Sequence, residues 1–314
     1  MILTYGLAVL AACANATSSV LQRKANRDAP QKDNLSWKLI RDLLHEPVWF
    51  GGILAITAGF LLQATALGTG DLATVEPVLV LELPITLILA ARVFRLRMGW
   101  RELGSSAAMA AGLSGLLYAL SPSPGPGGPR WYVWAIGIGA SVALIAVLVA
   151  WDRRERAGRS GGRPDRSGSR QAALLGVAAG SAFGLTAALM KGMTQTFAGG
   201  AAALFTSWPL YAMIAAGVLG MFLAQSALNA GRLLAAQPGL ALTDPVVSVI
   251  WGVLVFGERV RGGLFIVVDV VSVAVIAAAV LVLARSPLLA DHGDRPRAPS
   301  QPGPQAPAGP GSSR

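Results

Sequence analysis

Apolar runs about as long as a lipid hydrocarbon layer is thick recur along almost the whole chain, and no other feature restricts its fold so strongly. A helix needs about 20 apolar residues to cross ~30 Å of hydrocarbon. Runs of that length lie at 2–22, 49–68, 72–94, 103–120, 131–151, 171–195, 206–229, 235–256 and 262–284. With 54% hydrophobic and only 13% charged residues, a soluble core could not hide this much apolar side chain. The reading is an all-α integral membrane protein with about nine transmembrane helices in a lipid bilayer. Leu10-Ala11-Ala12-Cys13 has the letters of a lipoprotein cleavage box, but no Lys or Arg precedes Arg23. The basic segment of a secretory signal is therefore missing, and residues 2–22 read as a retained helix. One cysteine, Cys13, excludes an internal disulfide and a cysteine metal cluster. The net charge of +10 comes from short connections and forms no helical face, which argues against a nucleic-acid partner.

Those basic residues orient the chain, because cytoplasmic connections are enriched in Lys and Arg. Residues 23–48 hold Arg23, Lys24, Arg27, Lys32, Lys38 and Arg41, the third connection holds Arg95, Arg97 and Arg101, and 153–170 holds seven arginines. With nine spans all three fall on one side. This places the N-terminus outside and the C-terminus in the cytoplasm of a cell carrying the chain in its plasma membrane. Residues 286–314 are Pro, Gly, Ser and Arg without periodicity and read as a disordered tail. Trp49, Trp100, Trp131, Trp134, Trp151 and Trp208 stand at span ends, either in the headgroup layer or packed inside the bundle.

Sliding the chain against itself by 161 residues exposes a duplication. Residues 59–84 match 220–245 at ten of 26 positions, among them Gly59/Gly220, Gly70/Gly231, Pro77/Pro238 and Pro84/Pro245. Shared apolar composition explains matched leucines, but not two glycines and two prolines per copy at one spacing. A weaker match sets Lys24 against Lys191. The chain thus divides into a first repeat (1–120), an intervening helix (121–152), an Arg-rich cytoplasmic loop (153–170) and a second repeat (171–285). Four spans plus one bring the second copy in from the opposite face, so the repeats are inverted, an architecture common among secondary transporters.

A carboxylate in mid-bilayer costs at least ~3 kcal/mol, so such residues usually face a cavity or a partner. Glu82, Asp244 and Asp269 fall inside spans. Glu82 and Asp244 hold nearly equivalent places in the two copies and should approach each other near the midplane, unless each is satisfied locally by Thr86, Thr243, Ser248 or a backbone group. Pro84 and Pro245 cannot donate to the carbonyls of Val80 and Ala241, so each helix should bend and leave an acceptor free. Pro77 and Pro238 lie seven residues upstream on nearly the same face. Such breaks build solute sites in many transporters and also occur as plain kinks. Gln63, Gln225 and Asn229 either bond a solute or bond helix to helix. Glu76, Lys24 and Lys191, near span ends, read as side chains reaching for the interface. Asp71, Glu102 and Glu258 read as loop or boundary charges. Gly104, Ala108 and Gly112, and Gly176, Gly180 and Gly184, recur every four residues and allow close helix contact within one chain or across a homodimer.

Residues 228–258, in which a proline-containing helix runs into Gly257-Glu258, resemble a segment of the drug/metabolite transporter superfamily, to which the EamA-type permeases belong. That family's plan is ten helices as five plus five, and this chain is similar to it without the first helix. Trp49, Gly51, Gly59, Gln63 and Pro77 also resemble the NIPA-type magnesium-transporter branch. Phe60 stands where that branch tends to have glutamate, and Leu96 or Arg97 stands in the first copy where Glu258 stands in the second. The resemblance implies secondary transport of a small organic solute, a metabolite or drug, by alternating access. Glu82 or Asp244 would carry the coupling proton. The alternatives are a divalent-cation permease of the magnesium type and a membrane interaction protein that moves nothing. No nucleotide-binding loop, metal-ligand cluster or nucleophile with a base occurs, so no enzyme, cofactor or metal is expected. Uphill transport would draw on an ion gradient.

Overall fold

The computed structural model describes residues 2–28, 47–95, 98–123, 125, 129–157, 164–230 and 233–284. The helices are α1 (Ile2–Asp28), α2 (Pro47–Thr69), α3 (Leu72–Leu79), α4 (Glu82–Val93), α5 (Trp100–Leu120), α6 (Trp131–Ala157), α7 (Pro164–Thr196), the short α8 (Ala201–Thr206), α9 (Trp208–Ala230), α10 (Leu233–Leu254) and α11 (Phe265–Ala284). Among the described residues the only extended pairing is an isolated bridge between Ser123 and Arg259. The tail 286–314, Leu96, Arg97, Gly231 and residues 29–46 of the basic connection lie outside the described residues.

Among the described residues, eight segments are long and apolar enough to cross a membrane. The ninth apolar run is α10, a continuous helix of 22 residues. Large apolar side chains cover the outside of the bundle, with Leu54 72% and Phe222 67% exposed. Water would not tolerate so continuous a surface; hydrocarbon does. The chain is therefore built as an all-α multi-pass membrane protein. α6 and α7 overrun their apolar spans to Ala157 and from Pro164, which shortens the expected Arg-rich loop. Arg and Glu are good helix formers, and adding residues to a helix that already exists is easy.

The third apolar run is two helices. Val80 and Leu81 form a turn, with Val80 N–H donating to the Pro77 carbonyl at 3.2 Å and Leu81 N–H to Val78 at 3.1 Å. The Val80 carbonyl, expected to be left free by Pro84, instead accepts from Leu83 N–H at 3.2 Å. A local tightening to three-residue bonds absorbs the missing donor. In the second copy α10 stays helical through both Pro238 and Pro245, so the expected break occurs in one copy only.

α1 packs on α2, α3 and α4, and α7 packs on α9 and α10. α5 packs on α11, α10 on α3, and α6 lies against α7. The glycine stripe of α7 explains its closeness to α10. A Cβ at Gly180 would lie 2.7 Å from the Leu240 carbonyl oxygen, and one at Gly184 2.8 Å from Val247 Cβ. That stripe is a seam inside the chain. Gly112 likewise abuts Ile276 and the Ser272 carbonyl of α11, whereas Gly104 faces open space. Trp134 is buried against Trp208, Trp251 and Phe256, so of the two readings the inside one holds for it. Trp100, Trp131, Trp151 and Trp208 remain exposed at helix ends. The Trp49 side chain lies outside the described residues.

Candidate functional site

The bundle encloses a cavity of about 330 Å³ between α1, α2, α3, α4, α7 and α10. Along α3, the Val80–Leu81 turn and α4 its wall is Glu76, Leu79, Val80 and Leu83, an i, i+3, i+4, i+7 stripe in sequence, together with Glu82. Along α7 the same spacing gives Phe183, Thr186, Ala187 and Met190. α10 supplies Leu240, Ala241, Asp244 and Pro245; α1 supplies Asn15, and α2 supplies Gln63.

Three carboxyl groups therefore face one space: Glu76, Glu82 and Asp244. Glu82 opens α4, where the partial positive charge of a helix start favours an acid. The Asn15 and Ser19 side chains of α1 stand beside its carboxyl. Glu76 accepts a hydrogen bond from Gln63 Nε2 at 2.9 Å. Asp244 stands near enough to feel both glutamates electrostatically. Its Oδ1 and Ser248 Oγ are both buried without a hydrogen-bond partner of good geometry among the described residues, and the Ser248 hydroxyl stands beside the Asp244 carboxyl.

Not every residue singled out from the sequence is here. Gln63, Glu82 and Asp244 meet as expected. Glu76 is only 3% exposed and lines the cavity, so the interface-reaching reading fails for it. Its place on the stripe with Leu79 and Leu83 was the available signal, and Asn15 gave none. Gln225 is exposed, its Nε2 3.8 Å from Met221 Sδ. The residue matched to Gln63 by the 161-residue shift is Ala224, which is buried. One step along a helix turns a side chain by roughly 100°, enough to aim Gln225 away. Asp269 lines a separate apolar cavity of about 210 Å³ with Val80, Pro245 and Ile276, and its Oδ1 also lacks a partner among the described residues. Pro77 borders that second cavity and Pro245 borders both; Pro84 sits buried in α4 and Pro238 in the first half of α10. The Asn229 side chain lies outside the described residues.

A second polar cluster closes one end of the bundle. Glu258, 3% exposed, accepts from Leu72 N–H at 2.8 Å and Ala73 N–H at 2.9 Å. These are the first amides of α3, whose own N-cap residue, Asp71, makes no side-chain cap bond. A helix start leaves such donors orphaned, and here an acid 185 and 186 residues away satisfies two of them. Lys191, 7% exposed, donates to Glu258 Oε1 at 2.5 Å and to the Gly70 carbonyl at 3.1 Å, and its ammonium lies 5.1 Å from the Phe256 ring centre. Gly257 makes the turn that presents Glu258, at φ 66°, and a Cβ on Gly252 would collide with the carboxylate. Lys191, Glu258 and Asp71 are thus buried, against the expectation of interface or loop charges, because each neutralises or borders another. Lys24, the match of Lys191 in the first copy, is exposed. Burial, followed by repulsion from Glu258, holds the Asp71 carboxyl above its ordinary 3.8, with Lys191 opposing.

Among known proteins the chain is similar to an uncharacterized protein of Corynebacterium glutamicum, at 28% identity over 258 residues that cover 81% of this chain and 86% of the relative. No family model matches the chain, and no solved structure does.

Proposed function

We propose that this chain is a secondary transporter that moves a small organic solute by alternating access, coupled to protons through the carboxyls of its central cavity. The observation that carries the reading is the convergence of Glu76, Glu82 and Asp244 with Asn15 and Gln63 on one cavity deep among apolar helices. Buried acids are retained where they bind or relay charge. The inverted-repeat plan is supported by matching neighbours. α1 meets α2 and α4 as α7 meets α9 and α10, and the last helices of the two copies, α5 and α11, meet each other. This is the arrangement the resemblance to the drug/metabolite transporters implies, with nine spans in place of ten. The orientation read from the arginines would put the Lys191–Glu258 cluster at the outer end of the bundle.

Purified protein in vesicles with an imposed pH gradient tests the reading. Glu82→Gln and Asp244→Asn should each lower solute flux by tenfold or more while binding-independent folding markers stay intact. Unchanged pH-driven flux in folded variants refutes the coupling. Flux of Mg²⁺ through the same acids, with no organic competitor, would replace the reading by the divalent-cation permease, and absence of any flux would leave the interaction protein.

A further inference from the structure

Among the described residues the lining of the central cavity contains no Lys, Arg or His. Lys191 follows the lining residue Met190 but is engaged by Glu258 and the Gly70 carbonyl, so its charge is spent at the end of the bundle. What remains is acid and amide. An ionised carboxylate only accepts hydrogen bonds. The Gln63 amide donates to Glu76, the Asn15 amide stands beside Glu82, and Asp244 Oδ1 lies beside the Ser248 hydroxyl with no hydrogen bond of good geometry among the described residues. Three acids in one small space repel one another. Their neutralisation takes either protons or a ligand that brings positive charge and donors.

The rest of the wall tells an organic cation from a metal ion. Phe183 lines the cavity with an aromatic ring, and Leu79, Leu83 and Leu240 add apolar surface. Aromatic faces attract ammonium groups, while a hard divalent ion seeks a shell of oxygens. No three carboxylate, imidazole or thiol side chains are placed to hold one metal ion among the described residues.

We infer that the solute is a small organic cation, an ammonium on a partly apolar body, which displaces protons from Glu76, Glu82 and Asp244; this rests on the transport reading above. The cation and the protons occupy the same carboxyls in turn. Cation movement one way is therefore balanced by proton movement the other way.

The test uses the full chain with tetraethylammonium, butylamine and putrescine as probes, and butanol and butyrate as neutral and anionic controls. At least one of the three cations should raise the thermal midpoint and release protons into weakly buffered solution. Its affinity should rise about tenfold per pH unit for each proton displaced, and the controls should do neither. Asp244→Asn should lower cation affinity at least tenfold, and Asp269→Asn should not. Proton release by the unmodified chain keeps the inference testable if the Asp244 variant fails to fold. Carriage of a neutral or anionic solute with no cation binding overturns the substrate class and leaves the transporter standing. Binding of Mg²⁺ but of none of the organic cations overturns it in favour of a metal ion. Failure of every solute to move overturns the transport reading itself.

Discussion

Replacing Glu258 by Gln leaves the Lys191 ammonium inside the bundle without its hydrogen-bonded counter-charge, and with Asp71, whose carboxyl burial biases towards the neutral form, as the acid beside it. Lys191 keeps the Gly70 carbonyl at 3.1 Å and the Phe256 ring, neither of which carries a full negative charge. Breaking one side of a buried ion pair costs about 3–5 kcal/mol. At roughly 2 °C per kcal/mol for a chain of this size, the thermal midpoint should fall by about 6–10 °C. Lys191→Met should cost less, because Glu258 retains two backbone donors on α3, at 2.8 and 2.9 Å. The double variant removes both charges and should recover about 2 kcal/mol relative to the sum of the singles, since neither charge is left stranded. Thermal unfolding in detergent gives the cycle, and hydrogen exchange at the Leu72 and Ala73 amides gives a local reading, faster in Glu258→Gln than in Lys191→Met. Losses that add to within about 0.5 kcal/mol would refute the claim that the two residues act as one buried unit.

Three further outcomes follow from the same geometry. Gly180→Ala should cost about 1–3 kcal/mol and impair flux, because the new Cβ would lie 2.7 Å from the Leu240 oxygen and force α7 off α10 beside Asp244. Gly104→Ala, with nothing within 4 Å of the new atom, should be neutral or stabilising by up to ~1 kcal/mol, and equal thermal midpoints for the two variants would contradict this packing. Gln63→Ala should weaken solute binding by about tenfold, the effect of losing a hydrogen bond to a charged group, while Gln225→Ala should leave titrated affinity unchanged. Asp71, held above 3.8 by burial, keeps its proton in the folded state over a window where the unfolded chain has lost it. Its favourable contribution is therefore lost as pH rises through that window. Asp71→Asn should become the more stable protein as pH rises from about 4 towards neutrality, and an unmodified chain at least as stable at neutral pH would refute the assignment.

Sequence alone determined the solvent, the helical class and the rough position of nearly every span, because hydropathy and helix length are properties of contiguous residues. The matched spacing of prolines and glycines 161 residues apart leads to the expectation that Glu82 and Asp244 lie near one another, and both line one cavity. Sequence alone failed where rotation or distant partners decide. Gln225 and Gln63 have the same chemistry, and one residue of register puts the first outside and the second in the cavity. Both copies carry the same two prolines, yet only the first breaks at Val80–Leu81 while α10 runs on. Glu76, Lys191 and Glu258 lie close to span ends, where a charge can normally reach water. Only the packing of α3, α7 and the turn after α10 turned those charges inwards, by supplying Gln63, two backbone amides and each other as partners. A charge stays buried when something across the fold compensates it, and no local stretch of residues records what that will be.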